Sequence, residues 1–141
     1  MTSAFGGTAG AWGKGANMLT DLAHGDLAKA EYVFLTTNGL PAGRYPRTQT
    51  VELWFAVQDN TVYLLSATGD RPQWVRNLAR DPAVEMRIDR YTRAGRGRIL
   101  DGPEAHRARR LMAAKYAPHA APGWGMSCLA VAVDLAPADV A

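Results

Sequence analysis

The residues best placed to do chemistry lie between Ser66 and Arg80, where a strand end, a glycine turn and a short helix follow one another. Asp70 can cap the start of that helix, and Gln73 stands three residues later, as in a capping box. A helix start offers unpaired backbone N–H groups and the positive end of the helix dipole, and Arg71 stands beside it. The sequence therefore predicts a seat for an anionic group such as a ligand phosphate. A surface helix with solvated arginines is the alternative.

The cysteine and the histidines of the sequence do not indicate a nucleophile or a metal site. The one cysteine, Cys128, falls in an apolar run and is predicted to be a buried thiol rather than a nucleophile. The three histidines, His24, His106 and His119, are scattered without the spacing of metal ligands, so we predict no metal site.

Length and composition predict one folded domain. The chain has 141 residues, 48% of them hydrophobic and 21% charged, which are ordinary values for a globular protein. Its first residues lack the pattern of a signal peptide, and no apolar run approaches the ~20 residues that span a bilayer. We therefore expect a cytoplasmic protein without a membrane span.

The net charge of +3 is concentrated in one arginine-rich stretch. It could meet nucleic acid, an anionic membrane or a phosphorylated small molecule, or it could be solvated surface. Only Tyr91 supplies an aromatic ring there, which disfavours nucleic acid; solvated surface and part of an anionic cofactor site both remain open. The stretch contains Arg87, Arg90, Arg93, Arg96, Arg98, Arg107, Arg109 and Arg110.

The elements that would position these residues are mostly strands. Residues 1–28 are rich in Gly and Ala and are predicted to be a flexible leader with a short helix at 17–23; the domain proper spans residues 29–141. We predict a first strand at 32–37, a turn at 38–43, and a second strand at 47–57. The second strand forms a hairpin with a strand at 61–66. Alternation along it places Val51, Leu53, Phe55 and Val57 on one face and Thr50, Glu52 and Trp54 on the other.

The rest of the chain predicts three more strands and a second long helix. Val84, Met86 and Ile88 alternate on a fourth strand, and a fifth spans 95–100. A helix at 103–116 places Ala108, Leu111 and Met112 inward, and a loop at 118–125 leads to a central strand at 126–135. Antiparallel strands interrupted by two or three helices predict an α+β fold, a small barrel rather than a doubly wound sheet.

Five segments together resemble the deazaflavin-dependent nitroreductase family of the flavin/deazaflavin oxidoreductases. They are Phe-Leu-Thr-Thr-Asn-Gly at 34–39, Pro-Arg-Thr at 46–48, Val-Glu-Leu-Trp-Phe-Ala at 51–56, Trp-Val-Arg-Asn-Leu at 74–78 and Asp-Pro-Ala-Val at 81–84. The resemblance covers roughly residues 32–116. It implies a split β-barrel of the FMN-binding type and a homodimer, because this fold often completes its cofactor cleft at or near a subunit interface. The exposed face with Thr50, Glu52 and Trp54 is the candidate contact.

The resemblance also implies a cofactor, reduced coenzyme F420, and an oxidoreductase that passes its hydride to a quinone, a nitroaromatic or an activated enone. The cofactor then supplies the chemistry, and the protein binds and orients it. Ser66 matches a serine near the reacting ring and is the predicted catalytic residue; a strand-end hydroxyl that hydrogen-bonds the backbone is the alternative. The predicted substrate contacts are Trp54, Tyr116 and Trp124, for the first two of which packing is the alternative. The predicted cofactor contacts are Arg44, Arg47, Thr48, Ser66, Arg71, Trp74, Val75, Arg76 and Asn77.

One departure from the family's pattern keeps other functions open. The family's phosphate-binding turn carries two basic residues after its first glycine, and here Leu40 and Pro41 follow Gly39. Arg47 matches the last arginine of that turn, with a solvated hairpin arginine as the alternative, and Arg44 partly compensates. An FMN-dependent oxidoreductase of the pyridoxamine-phosphate-oxidase branch and a non-catalytic flavin- or tetrapyrrole-binding module are therefore the alternatives.

Overall fold

The described part of the chain forms one antiparallel sheet of seven strands and two helices. The computed structural model describes residues 26–42 and 45–136. The helices are α1 (Gln73–Arg80) and α2 (Gly102–Tyr116), with short 3-10 turns at Asp26–Lys29 and Ala117–His119. The strands are β1 (Val33–Ala42), β2 (Tyr45–Leu53), β3 (Ala56–Gln58), β4 (Thr61–Ser66), β5 (Ala83–Ile88), β6 (Tyr91–Ile99) and β7 (Leu129–Leu135).

The two edge strands of this sheet are neighbours in the chain. The strand order is β2-β1-β5-β6-β7-β4-β3, so β2 and β3 lie at opposite edges. Only Trp54 and Phe55 separate them in sequence, and the sheet must therefore curl enough to bring the end of β2 near the start of β3. This curled sheet confirms the predicted α+β split barrel.

The end of α2 holds the link between the two edges in place. Phe55 is fully buried, and its backbone N–H donates to the Tyr116 hydroxyl over 3.0 Å. The Lys115 ammonium donates to the Phe55 carbonyl over 2.9 Å, and the Tyr116 hydroxyl lies 2.8 Å from the Glu31 carbonyl, to which it can donate. Three backbone groups are thus hydrogen-bonded to one helix end near the barrel seam, by which we mean the link between β2 and β3 at Trp54–Phe55.

Strand β7 separates two apolar layers, as its continuous hydrophobic run predicts. Val131 and Val133 face the barrel core, and Ala130 and Ala132 pack with residues of α2. The alternation of β5 is confirmed as well, because Val84, Met86 and Ile88 are buried and the residues between them are exposed. Among the described residues, no helix has the length and apolar character needed to cross a membrane.

Two predictions about strand boundaries are wrong. The predicted strand at 47–57 is two strands, since the chain crosses from one sheet edge to the other at Trp54–Phe55. The predicted turn at 38–43 is instead a continuation of β1 to Ala42, because Asn38 and Gly39 pair with Thr48 and Arg47 in the β1–β2 ladder. The last pair of this ladder is Ala42 with Tyr45; residues 43 and 44 lie outside the described residues.

Other boundaries shift by less. Strand β6 starts at Tyr91, four residues before the predicted strand, and β7 starts at Leu129, since residues 123–128 form hydrogen-bonded turns. The helix predicted at 103–116 is α2 at Gly102–Tyr116. The leader and the helix predicted at 17–23 lie outside the described residues, apart from the 3-10 turn that begins at Asp26.

The capping box predicted for α1 does not form. Pro72 occupies the N-cap position without a side-chain cap, so Asp70 stands two residues too early. Gln73 is the first helical residue rather than the third, and its amide instead donates to Asn77. The first turn of α1 therefore lacks the carboxylate cap that the sequence pattern indicates.

The arginine-rich stretch is largely engaged in structural contacts. Arg98 on β6 pairs with Glu104 of α2 over 2.8 Å and with Asp134 of β7 over 2.6 Å. Its guanidinium lowers the pKa of both carboxyl groups. Arg93 is buried and donates to the Ala136 carbonyl, and Arg109 donates to the Cys128 carbonyl. These side chains fasten the barrel to its flanking elements. Cys128 itself is buried, as predicted.

Candidate functional site

The barrel interior changes from apolar to polar at one end. Alternate residues of a strand share a face, and the inward rows of β1 and β2 lie side by side in register. Along these rows, successive cross-strand pairs become more polar. The pairs are Leu35–Val51, then Thr37–Gln49, then Gly39–Arg47. This end of the barrel is therefore lined by groups that hydrogen-bond or carry charge.

Helix α1 presents a polar face to the same end. Gln73, Asn77 and Arg80 are spaced at i, i+4 and i+7, which places them on one side of the helix. Together with the strands they line a cavity of about 390 Å³. The strands contribute Gly39, Leu40, Arg47, Thr48 and Gln49. We call this the α1 cavity.

A chain of hydrogen bonds fixes the helix wall of the α1 cavity. Asn77 is buried, and its amide N–H donates to the Thr37 hydroxyl over 3.1 Å. The Asn77 amide oxygen accepts from Gln73 over 2.8 Å, and the Gln73 oxygen accepts from Arg76 over 2.8 Å. Each side chain is thereby oriented by the next, which holds α1 at one rotation relative to β1.

Two arginines give the α1 cavity a positive charge. Arg47 is exposed at its mouth, and the Arg80 guanidinium donates to the Asn38 carbonyl over 2.7 Å, which leaves it four further N–H donors. The residues named above as its lining include no carboxylate. The cavity is thus suited to an anion that is held at its mouth.

Gly39 keeps the space between strand and helix open. A Cβ at this position would lie 3.4 Å from the Arg47 carbonyl oxygen and 3.7 Å from the Asn77 amide oxygen. Any longer side chain would extend into the α1 cavity. Deeper in the cavity, the Gln49 amide oxygen is buried and has no hydrogen-bond partner within the described residues.

Of the predicted cofactor contacts, the structure brings Arg47, Thr48 and Asn77 to the α1 cavity. Trp74 and Val75 are on the opposite side of the helix, buried in the core. Arg76 adjoins the cavity through Gln73, and its guanidinium also donates to the Arg71 carbonyl. Arg71 is exposed and does not line the cavity. Arg44 lies outside the described residues.

Ser66 sits at the end of β4, one turn before α1. Its side chain is buried, and its hydroxyl donates to the Gly69 carbonyl over 2.6 Å. Gly69 has a φ of +67°, a conformation that favours glycine, so the Ser66 bond closes a tight turn. The hydroxyl oxygen can still accept a hydrogen bond from a ligand.

The three predicted substrate contacts form an aromatic cluster. Trp54 stacks on Tyr116 with ring centroids 4.2 Å apart, and Trp124 meets Trp54 edge-on at 5.2 Å. A second cavity of about 290 Å³ lies on the Trp124 side. Its other lining residues are Ala113, Ala117, Ala120, Ala121, Pro122 and Gly123.

This cluster is remote from the α1 cavity along β2. Arg47 and Trp54 are seven residues apart in sequence on a largely extended segment, which corresponds to roughly 20 Å at about 3.3 Å per residue. The structure therefore gathers the predicted substrate residues with one another but not with Arg47, Thr48 and Asn77.

Lys115 is the titratable group that sequence reasoning missed near the aromatic cluster. Its ammonium lies 3.6 Å from the centre of the Phe55 ring, and burial lowers its pKa to about 8. Burial also raises the pKa of Tyr116 to about 12. Both groups thus occupy a partly dehydrated environment at the seam of the barrel.

Comparison with known proteins identifies a family that the sequence matches. The sequence matches the family described as F420H(2)-dependent quinone reductase over residues 18–135. No curated protein matches it.

Solved structures share the fold at low sequence identity. An F420-H2 dependent reductase (FDR-A) has a TM-score of 0.58 at 18% identity over 73% of this chain and 93% of its own. A domain-swapped dimer has the same score and identity over 73% and 79%. An FAD-binding protein from Mesorhizobium loti has a TM-score of 0.53 at 15% identity over 79% and 86%.

Proposed function

The chain belongs to the F420H(2)-dependent quinone reductase family, and on that premise we propose that it reduces a quinone, with nitroaromatics and activated enones as alternative acceptors. Membership makes it an F420-dependent reductase. The acceptor class is our inference from the family description and from the absence of any predicted nucleophile or metal centre. When bound, reduced F420 supplies the hydride, and the protein's own residues bind, orient and shield it.

The α1 cavity fits the anionic tail of this cofactor. Arg47 and Arg80 offer guanidinium N–H groups for a phosphate, a pairing whose hydrogen bonds are charge-assisted. Open space at Gly39 and the unpaired acceptor at Gln49 indicate that the described residues neither fill the cavity nor satisfy all its polar atoms. This combination of two cations, open volume and a spare acceptor is the observation that carries the proposal.

Arg80 compensates for the departure at Leu40 and Pro41. The family pattern expects cations on the turn after Gly39, but Leu40 is exposed and apolar. Arg80 reaches the same cavity from α1, so the helix adds a cation to the one that Arg47 supplies from the hairpin. Thr48 and Asn77 then contact the cofactor at the cavity wall, and Arg71 and Arg76 add to the positive potential at the start of α1.

Ser66 and the aromatic cluster have proposed roles at the reacting end. Ser66 orients the ring or the acceptor oxygen through the lone pairs that its bond to Gly69 leaves free. Trp54, Tyr116 and Trp124 contact the acceptor, for which flat apolar rings are suitable partners. Positioning of two reactants in this way can contribute about 7–11 kcal/mol in well-oriented cases.

Titration of the protein with coenzyme F420 and with FMN, followed by tryptophan fluorescence at low salt, tests the proposal. We expect F420 to bind more tightly than FMN. Arg47→Ala and Arg80→Ala should each weaken F420 binding by about 1–3 kcal/mol, the range for a hydrogen bond to a charged group. The loss should shrink at high salt, because screening already weakens the wild-type contact.

Substitutions of two further arginines test whether the loss of F420 binding is specific to the α1 cavity. Arg110→Ala removes the same charge from the exposed side of α2 and should leave F420 binding unchanged. Arg71→Ala distinguishes the α1 cavity from the start of α1 as the phosphate site. If Arg71→Ala weakens F420 binding and the cavity variants do not, the phosphate binds at the N-terminus of α1. Tighter binding of FMN, or a yellow purified protein, would favour the FMN-dependent alternative.

We also propose a homodimer that uses the β2 face with Thr50 and Glu52. Trp54 was predicted to share this contact, but it is stacked on Tyr116 and only partly exposed. Edge strands with free backbone groups commonly pair with another chain, and β2 is such an edge. Light scattering at micromolar concentration should give twice the monomer mass; a monomer would contradict the dimer and leave the fold unaffected.

A further inference from the structure

Gln49 is the one residue of the α1 cavity that carries a buried and unpaired polar atom within the described residues. It belongs to the inward row of β2, directly across from Thr37, which is fully buried. Its amide oxygen is inaccessible to solvent and accepts no hydrogen bond from residues 26–42 and 45–136. Because a buried acceptor without a donor costs free energy, nearly all such atoms in folded proteins are paired, with protein, water or ligand.

The walls of the α1 cavity leave the Gln49 oxygen without a donor. One N–H of the Asn77 amide donates to Thr37 and the Asn77 oxygen accepts from Gln73, and no group within the described residues donates to Gln49. A ligand in the α1 cavity can supply the donor that the described residues do not provide. A neutral amide oxygen is suited to an O–H or N–H donor and gives no attraction to a phosphate.

The position of Gln49 relative to Arg47 narrows the choice of donor. The two residues are on the same face of β2 and are separated by two positions, or about 7 Å along the strand. If Arg47 holds the phosphate at the mouth, Gln49 meets the part of the ligand that lies next to the phosphate and deeper in the cavity. In a deazaflavin cofactor that part is the sugar-alcohol chain between phosphate and ring.

We propose that Gln49 is a specificity-determining residue whose amide oxygen accepts a hydrogen bond from a hydroxyl of that chain. This rests on the proposed function, since it takes F420 as the occupant of the α1 cavity. It gives the ligand a direction, with the anionic tail outward at Arg47 and Arg80 and the neutral, hydroxylated part inward. Gln49 therefore favours ligands with a hydroxylated chain over anions of similar charge that lack one.

The experiment compares Gln49→Met with Gln58→Met, a matched control on β3 whose amide oxygen accepts from Arg107 outside the cavity. Tryptophan fluorescence follows the binding of coenzyme F420, and thermal unfolding follows the stability of the ligand-free proteins. We expect Gln49→Met to raise the Kd for F420 by about three- to tenfold, as for loss of one hydrogen bond. Its ligand-free Tm should equal or exceed that of the wild type, because an unpaired buried acceptor has been removed.

A structural role for Gln49 gives the opposite pattern, a lowered Tm with an unchanged Kd, and would overturn the inference. A second variant, Gln49→Glu, keeps an acceptor oxygen and is tested with a phosphate-free deazaflavin that retains the sugar-alcohol chain. Gln49→Glu should bind it as well as the wild type does, and an equal loss in both variants would also overturn the inference. If the wild type fails to bind F420, the proposed function fails; if it binds and Gln49→Met binds equally, only the role of Gln49 fails.

Discussion

The side-chain amide of Asn77 donates a hydrogen bond to the hydroxyl of Thr37 over 3.1 Å, and both residues are buried. This bond joins the middle of α1 to the inward face of β1. Since the Asn77 oxygen also accepts from Gln73, the amide cannot rotate without losing two bonds. Asn77 therefore helps to fix the position of the helix wall of the α1 cavity.

Replacement of Asn77 by alanine should destabilise the protein and weaken F420 binding together. It leaves the buried Thr37 hydroxyl without its donor and Gln73 without its acceptor, at a cost of about 1–3 kcal/mol. Urea unfolding measures the first effect and fluorescence titration the second. Asn60→Ala, on an exposed turn, is the control that should change neither. An unaltered urea midpoint for Asn77→Ala would contradict the structural role.

Local sequence patterns are sufficient to predict strands that run unbroken within the sheet. Val84, Met86 and Ile88 alternate because one face of β5 packs in the core. The break between β2 and β3 was not predictable in this way. Alternation runs unchanged through Trp54 and Phe55, and only the curling of the whole sheet requires the chain to change edges there.

The candidate site likewise combines residues that the sequence indicates with residues that only the tertiary structure reveals. Arg47, Thr48 and Asn77 could be named from a family resemblance, whereas Gln49 and Arg80 could not. Arg80 is typical of the last turn of any helix, where a cation is favourable. The orientation of Gln49 toward the cavity follows from its register opposite Thr37, which depends on where the β1–β2 hairpin turns.

Replacement of Ser66 by alanine should slow turnover severalfold and leave the affinity for F420 nearly unchanged. The hydroxyl donates to Gly69 and is proposed to orient the reacting groups, so its loss should also lower the unfolding free energy by about 1 kcal/mol. Steady-state kinetics and fluorescence titration separate these effects. Cys128→Ser and His106→Ala, if folded, should keep turnover nearly intact. A fall of about 10⁴-fold in either would indicate covalent or acid–base chemistry that this mechanism lacks.

Replacement of Trp124 by alanine should raise the KM for a quinone without changing the Kd for F420. The indole packs edge-on against Trp54 and borders the alanine-lined cavity, far along β2 from Arg47. Loss of one aromatic contact of about 0.5–1.5 kcal/mol corresponds to about a 2- to 12-fold rise in KM. Met126→Ala, an exposed change in the same loop, is the control. An unchanged KM would remove the aromatic cluster from the acceptor site.

Stability should rise with pH between about 8 and 10 because of Lys115. Burial lowers the pKa of its ammonium to about 8, against about 10.5 in an unfolded chain. Between these values the unfolded chain retains a proton that the folded protein has released, so raising the pH favours folding. Tyr116 acts in the opposite direction only above pH 10, since burial raises the pKa of its hydroxyl from 10.0 to about 12.

Lys115→Met isolates this contribution. The variant removes the titrating group and keeps an apolar stem over the Phe55 ring, so its unfolding free energy should lack the rise between pH 8 and 10. Urea unfolding at pH 7, 8, 9 and 10 should show the stability of the wild type increasing relative to the variant, by an amount that grows with pH. Lys29→Met, an exposed lysine, should keep the wild-type profile. A constant difference between wild type and Lys115→Met would mean that the ammonium remains hydrated at the barrel seam.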